Sequence, residues 1–280
     1  MHWLVNEQKR RNAGGQSRWS AYTRHRQELA ARLLRPAPSP PGPLCVLGAG
    51  NCDDLELASL TRRFPEVHLV DIDSEALEGA ASRQSEADRS GLRLHGGVDL
   101  TGCWDKLNRP TSGKALSDAE VAEAIRLAEQ GAAADFGGPF SAVASTCVVS
   151  QLIDSAVLSL GEHHPRLLEL IIALRTAHLR LLCRLTAPGG RAVLATDFVS
   201  SVTVPELNSA IEPDWRALLA DILPRSNFFH GLNPLVLLSL FQSDQELSQC
   251  TGGAEFTGFW RWNQGSRIYA VCAIEFTRMR

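Results

Sequence analysis

The stretch LCVLGAGNCDD at 44–54 constrains the fold of this chain more than any other. Its four apolar residues, Leu44–Leu47, suit a short strand buried on both faces. Gly48-Ala49-Gly50 follows at once, and glycine accepts backbone conformations and close approaches that a Cβ forbids. Residues 53–63 then suit a helix. A strand that turns through glycines into a helix leaves the first helical N–H groups free at the turn, which makes it a place for a ligand. About twenty residues further on, HLVDID at 68–73 ends a second buried strand, Val67–Val70, in Asp71, where an acid can accept both hydroxyls of a ribose.

The rhythm of strand, turn and helix continues. Residues 74–87 suit a helix, and Leu92–Leu94 begins a third strand that runs out near Gly97-Val98-Asp99. Phe140–Val149 reads as a fourth strand, 165–186 as a long apolar helix closed by Pro188-Gly189-Gly190, and Arg191–Asp197 as a fifth strand. This alternation predicts a parallel sheet with helices on both faces and the strand ends on one ligand-binding rim. Residues 103–139 interrupt it with a helix capped by Ser117 and Glu120. Residues 205–249 are mostly helical in pattern, and Phe259–Trp262 and Ile268–Thr277 flank a hairpin turn at Asn263-Gln264-Gly265-Ser266. Upstream, 18–34 sets Trp19, Tyr22, Arg26, Leu29 and Leu33 on one helical face, and the prolines of 36–43 forbid its continuation. The chain thus divides into a helical arm and connector, 1–43, and a main domain, 44–280, with helical insertions at about 103–139 and 205–250.

Composition narrows the classes. With 280 residues, 44% hydrophobic and 21% charged, the chain can bury a sizeable core, and a net charge of −3 excludes a general polycation. The basic residues Lys9, Arg10, Arg11, Arg18, Arg24, Arg26, Arg32 and Arg35 crowd the first stretch against only Glu7 and Glu28, so the arm is either a contact for an anionic partner or a solvated helix. The seven cysteines show neither CxxC nor zinc-like spacing and read as reduced thiols, with no metal site. No apolar run is long enough to span a membrane and no leader is visible, so the expected location is cytoplasmic.

The glycine turn and its acid fit either a dinucleotide or S-adenosylmethionine. A dinucleotide fingerprint carries Gly or Ala at its third position so that pyrophosphate reaches the helix N-terminus. Here Asp53 stands there, followed by Asp54, and paired carboxylates repel pyrophosphate but suit the cationic methionine end of S-adenosylmethionine. GAGNCDD followed by LVDID resembles motifs I and II of the class I S-adenosylmethionine-dependent methyltransferases, a likeness covering about residues 44–200. The resemblance implies an α/β, Rossmann-like fold: a seven-stranded, mostly parallel sheet with helices on both faces and an antiparallel C-terminal strand beside the fifth, here with an extra N-terminal helix. It implies S-adenosyl-L-methionine as cofactor, with Gly48, Ala49, Gly50, Asn51 and Asp53 around its methionine part. Asp71 and Ile72 fall at the ribose, Asp99 and Leu100 near the adenine, and Ser145, Thr146 and Cys147 at the methyl-transfer site. Cys52 departs from the usual third glycine, and STCVVSQ replaces the Asn/Asp-Pro-Pro-Tyr of enzymes that methylate nucleobase amines.

Methyl transfer from a sulfonium is a direct displacement, and a base is needed only where the acceptor must lose a proton. His230, in a turn-rich aromatic segment, and His163 and His164 are the candidate bases. Trp19, Tyr22, His25 and Arg26 on the arm, with Cys147 and Gln151 after the fourth strand, are the candidate acceptor contacts. The preferred expectation is a small-molecule or peptide methyltransferase. The rivals are an RNA methyltransferase using the basic arm, an NAD-dependent oxidoreductase, and a non-catalytic cofactor-binding scaffold.

Overall fold

The computed structural model describes residues 3–13, 19–35, 42–108, 116–132, 136–209, 214–225 and 228–279, so most of the proline connector lies outside the described residues. The strands are β1 Leu44–Leu47, β2 Val67–Asp71, β3 Leu92–Gly96, β4 Phe140–Thr146, β5 Thr186–Ser200, β6 Thr251–Asn263 and β7 Ile268–Arg278. They form one seven-stranded sheet in the order β3-β2-β1-β4-β5-β7-β6. The strands from β3 across to β5 are parallel, and β7 enters antiparallel between β5 and β6. This is the Rossmann-like sheet with the inverted strand beside the fifth that the sequence leads one to expect.

The helices, in chain order, are α1 Trp3–Ala13, α2 Thr23–Leu33, α3 Leu57–Arg63, α4 Ser74–Ser82, α5 Glu86–Ser90, α6 Trp104–Leu107, α7 Asp118–Gln130, α8 Val148–Leu160, α9 Leu167–Leu185, α10 Trp215–Arg225, α11 Pro234–Ser243 and α12 Gln245–Cys250. Successive strand side chains point to opposite faces. Leu44 and Val46 of β1 therefore join one core with Leu69, Ala144, Val271 and the inward faces of α2, α3 and α4. Cys45 and Leu47 join the other with Val143, Leu194, Ile274 and residues of α7, α8, α9 and α11. Burying both faces of the central strands fixes where their carboxyl ends lie, and the functional residues sit on that rim.

Several expected boundaries move, each for a physical reason. The fourth strand stops at Thr146: Cys147 takes a left-handed conformation (φ 51°), and Val148, Val149, Leu152, Ile153 and Ala156 bury one face of α8. The valine pair looks like strand by propensity, but the helical spacing beyond it prevails. The predicted helix 74–87 divides into α4 and α5 because Ser85 leaves helical geometry and caps α5 by accepting from Asp88 N–H. The hairpin strands extend back to Thr251, through bulges at Thr251/Ala254 and Phe256/Gly258 that admit the glycines of that stretch. The capping box at Ser117 and Glu120 forms as expected. Two N-terminal helices are present where the pattern predicts one; α1 lies along the rim, with Leu4 in the second core and Asn12 Nδ2 donating to Asp73 at 2.9 Å.

Helix α2 is fastened to the sheet through His25. Its ring is fully buried, stacks on Trp262 with centroids 4.2 Å apart, and accepts the Trp260 indole N–H at Nδ1 over 2.8 Å. Burial lowers the His25 pKa, so the ring is the neutral acceptor this bond requires. Replacing Trp260 with Phe leaves that nitrogen buried and unpaired. Chemical denaturation is expected to show a loss of about 1–3 kcal/mol, the usual cost of an orphaned buried polar group.

Candidate functional site

The turn after β1 is held by an acid from the neighbouring strand. The carboxylate of Asp71, at the carboxyl end of β2, accepts the Gly50 N–H at 2.8 Å and the Asp73 N–H at 2.9 Å. Burial raises the Asp71 pKa to about 6, against the lowering effect of those backbone bonds. Gly48 has φ 71° and Gly50 φ 50°. A Cβ on Gly48 would stand 2.5 Å from Val148 Cβ at the start of α8, so glycine is needed both for conformation and for room.

On one side of this turn lies a slot of about 60 Å³ lined by Asp71, Ile72, Val98, Asp99, Leu100 and Trp104, with Gln8 and Asn12 of α1 as its outer wall. Asp99 accepts from Thr101 N–H and hydroxyl at 2.7 and 2.6 Å and from Trp104 N–H at 2.9 Å, which fixes the chain after β3. On the other side opens a cleft of about 910 Å³. Gly48, Gly50, Asn12 and Gln151 border both spaces, so the turn forms the sill between them. Ala49, Asn51, Asp54, Thr146 and Cys147 line the cleft's inner end, and Tyr22, Trp262, Tyr269, Phe228 and Phe229 supply aromatic walls.

The predicted residues separate cleanly. Gly48, Ala49, Gly50, Asn51, Asp71, Ile72, Asp99, Leu100, Thr146, Cys147, Gln151 and Tyr22 border the slot or the cleft, and His230 stands exposed at the cleft. Asp53 does not border either: it is buried against Arg83 at 3.1 Å, and its neighbour Asp54 faces the cleft instead. Ser145 points into the core, where its hydroxyl meets His178 Nε2 at 2.8 Å. His25 is closed off beneath Trp262, with Nε2 3.9 Å from the Asp54 carboxylate. Arg26 is buried, stacks on Trp19 at 3.6 Å, donates to the Trp19 and Asp53 carbonyls and pairs with Glu56, so these two residues clamp the arm to the glycine loop. His163 is exposed and His164 Nδ1 accepts the Arg166 N–H at 3.2 Å; neither lines the cleft.

The basic arm is largely engaged by carboxylates. Lys9 pairs with Glu75, Arg10 with Glu7, Arg11 with Glu7 and Asp154, Arg32 with Glu28 and Arg35 with Glu275. Sequence reasoning missed Gln8 and Asn12, because the weakly amphipathic 3–13 stretch carries no signal that it packs on the rim, and Asp197, read only as the end of the fifth strand. Among the described residues no group of His, Cys, Asp or Glu is arranged to hold a metal ion, and no helix is long and apolar enough to cross a membrane.

No protein-family model matches the chain, and no curated protein does. Among solved structures, the 1,6-didemethyltoxoflavin-N1-methyltransferase of Burkholderia thailandensis is similar at 14% identity over 99% of this chain and 88% of that one, with a TM-score of 0.49. The N-methyltransferase NodS of Bradyrhizobium japonicum gives 14% identity, 92% and 97% coverage and a TM-score of 0.43. A geranyl diphosphate methyltransferase in complex with SAM gives 12%, 90% and 84%, and 0.44. Likenesses at these levels carry no argument about function, which has to come from the chain's own residues.

Gly48→Ala is expected to lower the unfolding free energy by about 2–4 kcal/mol, combining left-handed strain with overpacking against Val148. Gly161 shares a positive φ (87°) but has open space where a Cβ would go. Gly161→Ala, at φ 87° and ψ 150°, should therefore cost only the backbone strain, about 1–3 kcal/mol, in the same denaturation experiment.

Proposed function

We propose that this protein is an S-adenosylmethionine-dependent methyltransferase acting by direct displacement on a small-molecule or peptide acceptor. The observation that carries the reading is a pair of acids, Asp71 ending β2 and Asp99 in the loop after β3, lining one slot beside the glycine turn of β1. In this reading Asp71, with Ile72, takes the ribose hydroxyls on the lone pairs its two backbone bonds leave free. Asp99 and Leu100 border the adenine. Gly48, Ala49, Gly50 and Asn51 carry the methionine part across the sill, and Asp54 offsets its positive charge from the cleft. Thr146 stands beside the sulfur, where its buried hydroxyl has no protein partner. The bound cofactor supplies an electrophilic methyl group; the chain's part is to align it with an acceptor in the larger cleft and to exclude water.

The cleft's volume of about 910 Å³ falls within the roughly 300–1,000 Å³ of small-molecule sites. The slot is smaller than that range, so a nucleoside enters with α1, and Gln8 and Asn12 on it, displaced outward. Two features weigh against the rivals. Asp54 at the turn is unsuited to a pyrophosphate, and six cations of the arm, Lys9, Arg10, Arg11, Arg26, Arg32 and Arg35, are paired with carboxylates rather than left as a surface for RNA; Arg18 lies outside the described residues.

Isothermal titration with S-adenosylhomocysteine, with NAD as control, tests the reading: micromolar binding of the first alone is expected, and binding of neither would reduce the claim to one of fold. Asp71→Ala should weaken that binding at least tenfold, since two hydroxyl bonds to a charged acceptor are lost, each worth about 1.5–3 kcal/mol. The carboxylate must be ionised to accept both hydroxyls. With its pKa at about 6, affinity should hold above that pH and decline below it, by up to about tenfold per unit.

A further inference from the structure

We propose that the acceptor is an amine, bound and deprotonated by Asp197; this rests on the methyltransferase reading above. Asp197 lies at the end of the parallel part of β5, 7% exposed, and borders the cleft beside Thr146 and Cys147. Between Asp197 and Val199 the β5–β7 register slips by one residue. That bulge lets Phe198 and Val199 both enter the second core, while Asp197 keeps its regular pair with Val271 and the alternation that sets it on the face of Val193 and Ala195, bordering the cleft.

The surroundings select charge. Ser150 of α8 donates its hydroxyl to Asp197 Oδ1, and Cys147 lines the cleft beside it. Burial and the nearby Asp154 raise its pKa to about 6, which narrows the gap to an amine's proton while leaving the carboxylate ionised at neutral pH. Thr146 borders the same space, its buried hydroxyl without a hydrogen-bond partner among the described residues. Asp54 adds a second carboxylate, and Tyr22, Trp262, Tyr269, Phe228 and Phe229 form the walls. Of the cations at the cleft, Arg10 and Arg11 are held by Glu7 and Asp154, and Arg267 is on an exposed turn. Rings and carboxylates together attract an ammonium group. A carboxylate acceptor is repelled there, and a neutral alcohol gains a hydrogen bond to a carboxylate but neither the charge attraction nor the cation–ring contact.

The step balances. The bound ammonium gives one proton to the Asp197 carboxylate, which becomes the carboxylic acid. The freed nitrogen lone pair attacks the methyl carbon, an N–C bond forms and the C–S bond breaks. The C–S electron pair stays on sulfur, so the sulfonium becomes the neutral thioether of S-adenosylhomocysteine and the nitrogen carries the positive charge.

The test titrates full-length protein saturated with S-adenosylhomocysteine with phenethylamine and tryptamine, and with their alcohol counterparts 2-phenylethanol and tryptophol. At least one amine should bind tenfold or more tighter than its alcohol. Asp197→Asn should erase that preference while leaving S-adenosylhomocysteine affinity unchanged, which also reports that the variant folds. Tyr269→Leu should weaken the amine several-fold with the carboxylate intact. Equal affinity for amine and alcohol, no binding of any of the four, or a preference that survives in Asp197→Asn overturns the proposal. Failure of the initial saturation with S-adenosylhomocysteine would instead remove the methyltransferase reading, and the inference with it.

Discussion

The rim of the sheet depends on one carboxylate. Asp71 ends β2 and reaches sideways to the Gly50 N–H while its other oxygen takes the Asp73 N–H, stitching the turn after β1 to the turn after β2. Without it, the Gly50 N–H loses its partner, and the turn is left with the Gly48 and Ala49 N–H bonds to the Val70 carbonyl. The same group is costly to keep. Its folded pKa of about 6 lies above the ordinary 3.8, so the folded state favours the protonated form. The stability this gives is full below the unfolded pKa and is lost as pH rises through about 6, a swing of roughly 3 kcal/mol across the two units. At neutral pH the fold therefore holds a charge it would rather neutralise, and two incoming hydroxyl donors would relieve that directly.

Much of this arrangement was legible in the sequence, and the reasons are local. A buried strand can end in a glycine turn only where the backbone needs the freedom, so LGAG fixes a β–α junction before any contact is known. An acid that ends a buried strand has no place in a two-sided core, so Asp71 had to lie at the rim. The inverted hairpin followed from its turn residues. These are statements about single segments, and local chemistry decides them.

What could not be read depends on which partner a side chain meets. Asp53 and Asp54 are adjacent and identical in kind, yet Arg83 captures the first, thirty residues away, and the second faces the cleft. His25 and Arg26 looked like acceptor contacts because they share a helical face with Tyr22. Docking of α2 against β6 buries His25 beneath Trp262, and the glycine loop's own carbonyls engage Arg26. Ser145 and Thr146 differ by one step along β4, and the pleat sends the first to His178 and the second to the cleft. Each difference is set by long-range packing that a linear pattern does not encode.

The same logic explains why Asp197 escaped the sequence reading. In an unbroken strand the alternation would return Phe198 and Val199 to opposite faces, and the acid before them would look like a strand terminus. The one-residue slip against β7 comes just after the acid, so both apolar residues reach one core while Asp197 keeps its regular pair with Val271 and borders the cleft. A bulge of this kind is specified jointly by β5 and β7, strands separated by the whole helical segment 205–250. The acid on β2 sits beside the slot because its own strand ends there; the acid on β5 sits beside the cleft because β5 runs on, paired with β7, past its last pair with β4 at Thr146 and Ala195. One end of the site is thus encoded locally and the other by the assembled sheet, which leaves the acceptor side free to change without disturbing the glycine turn and Asp71.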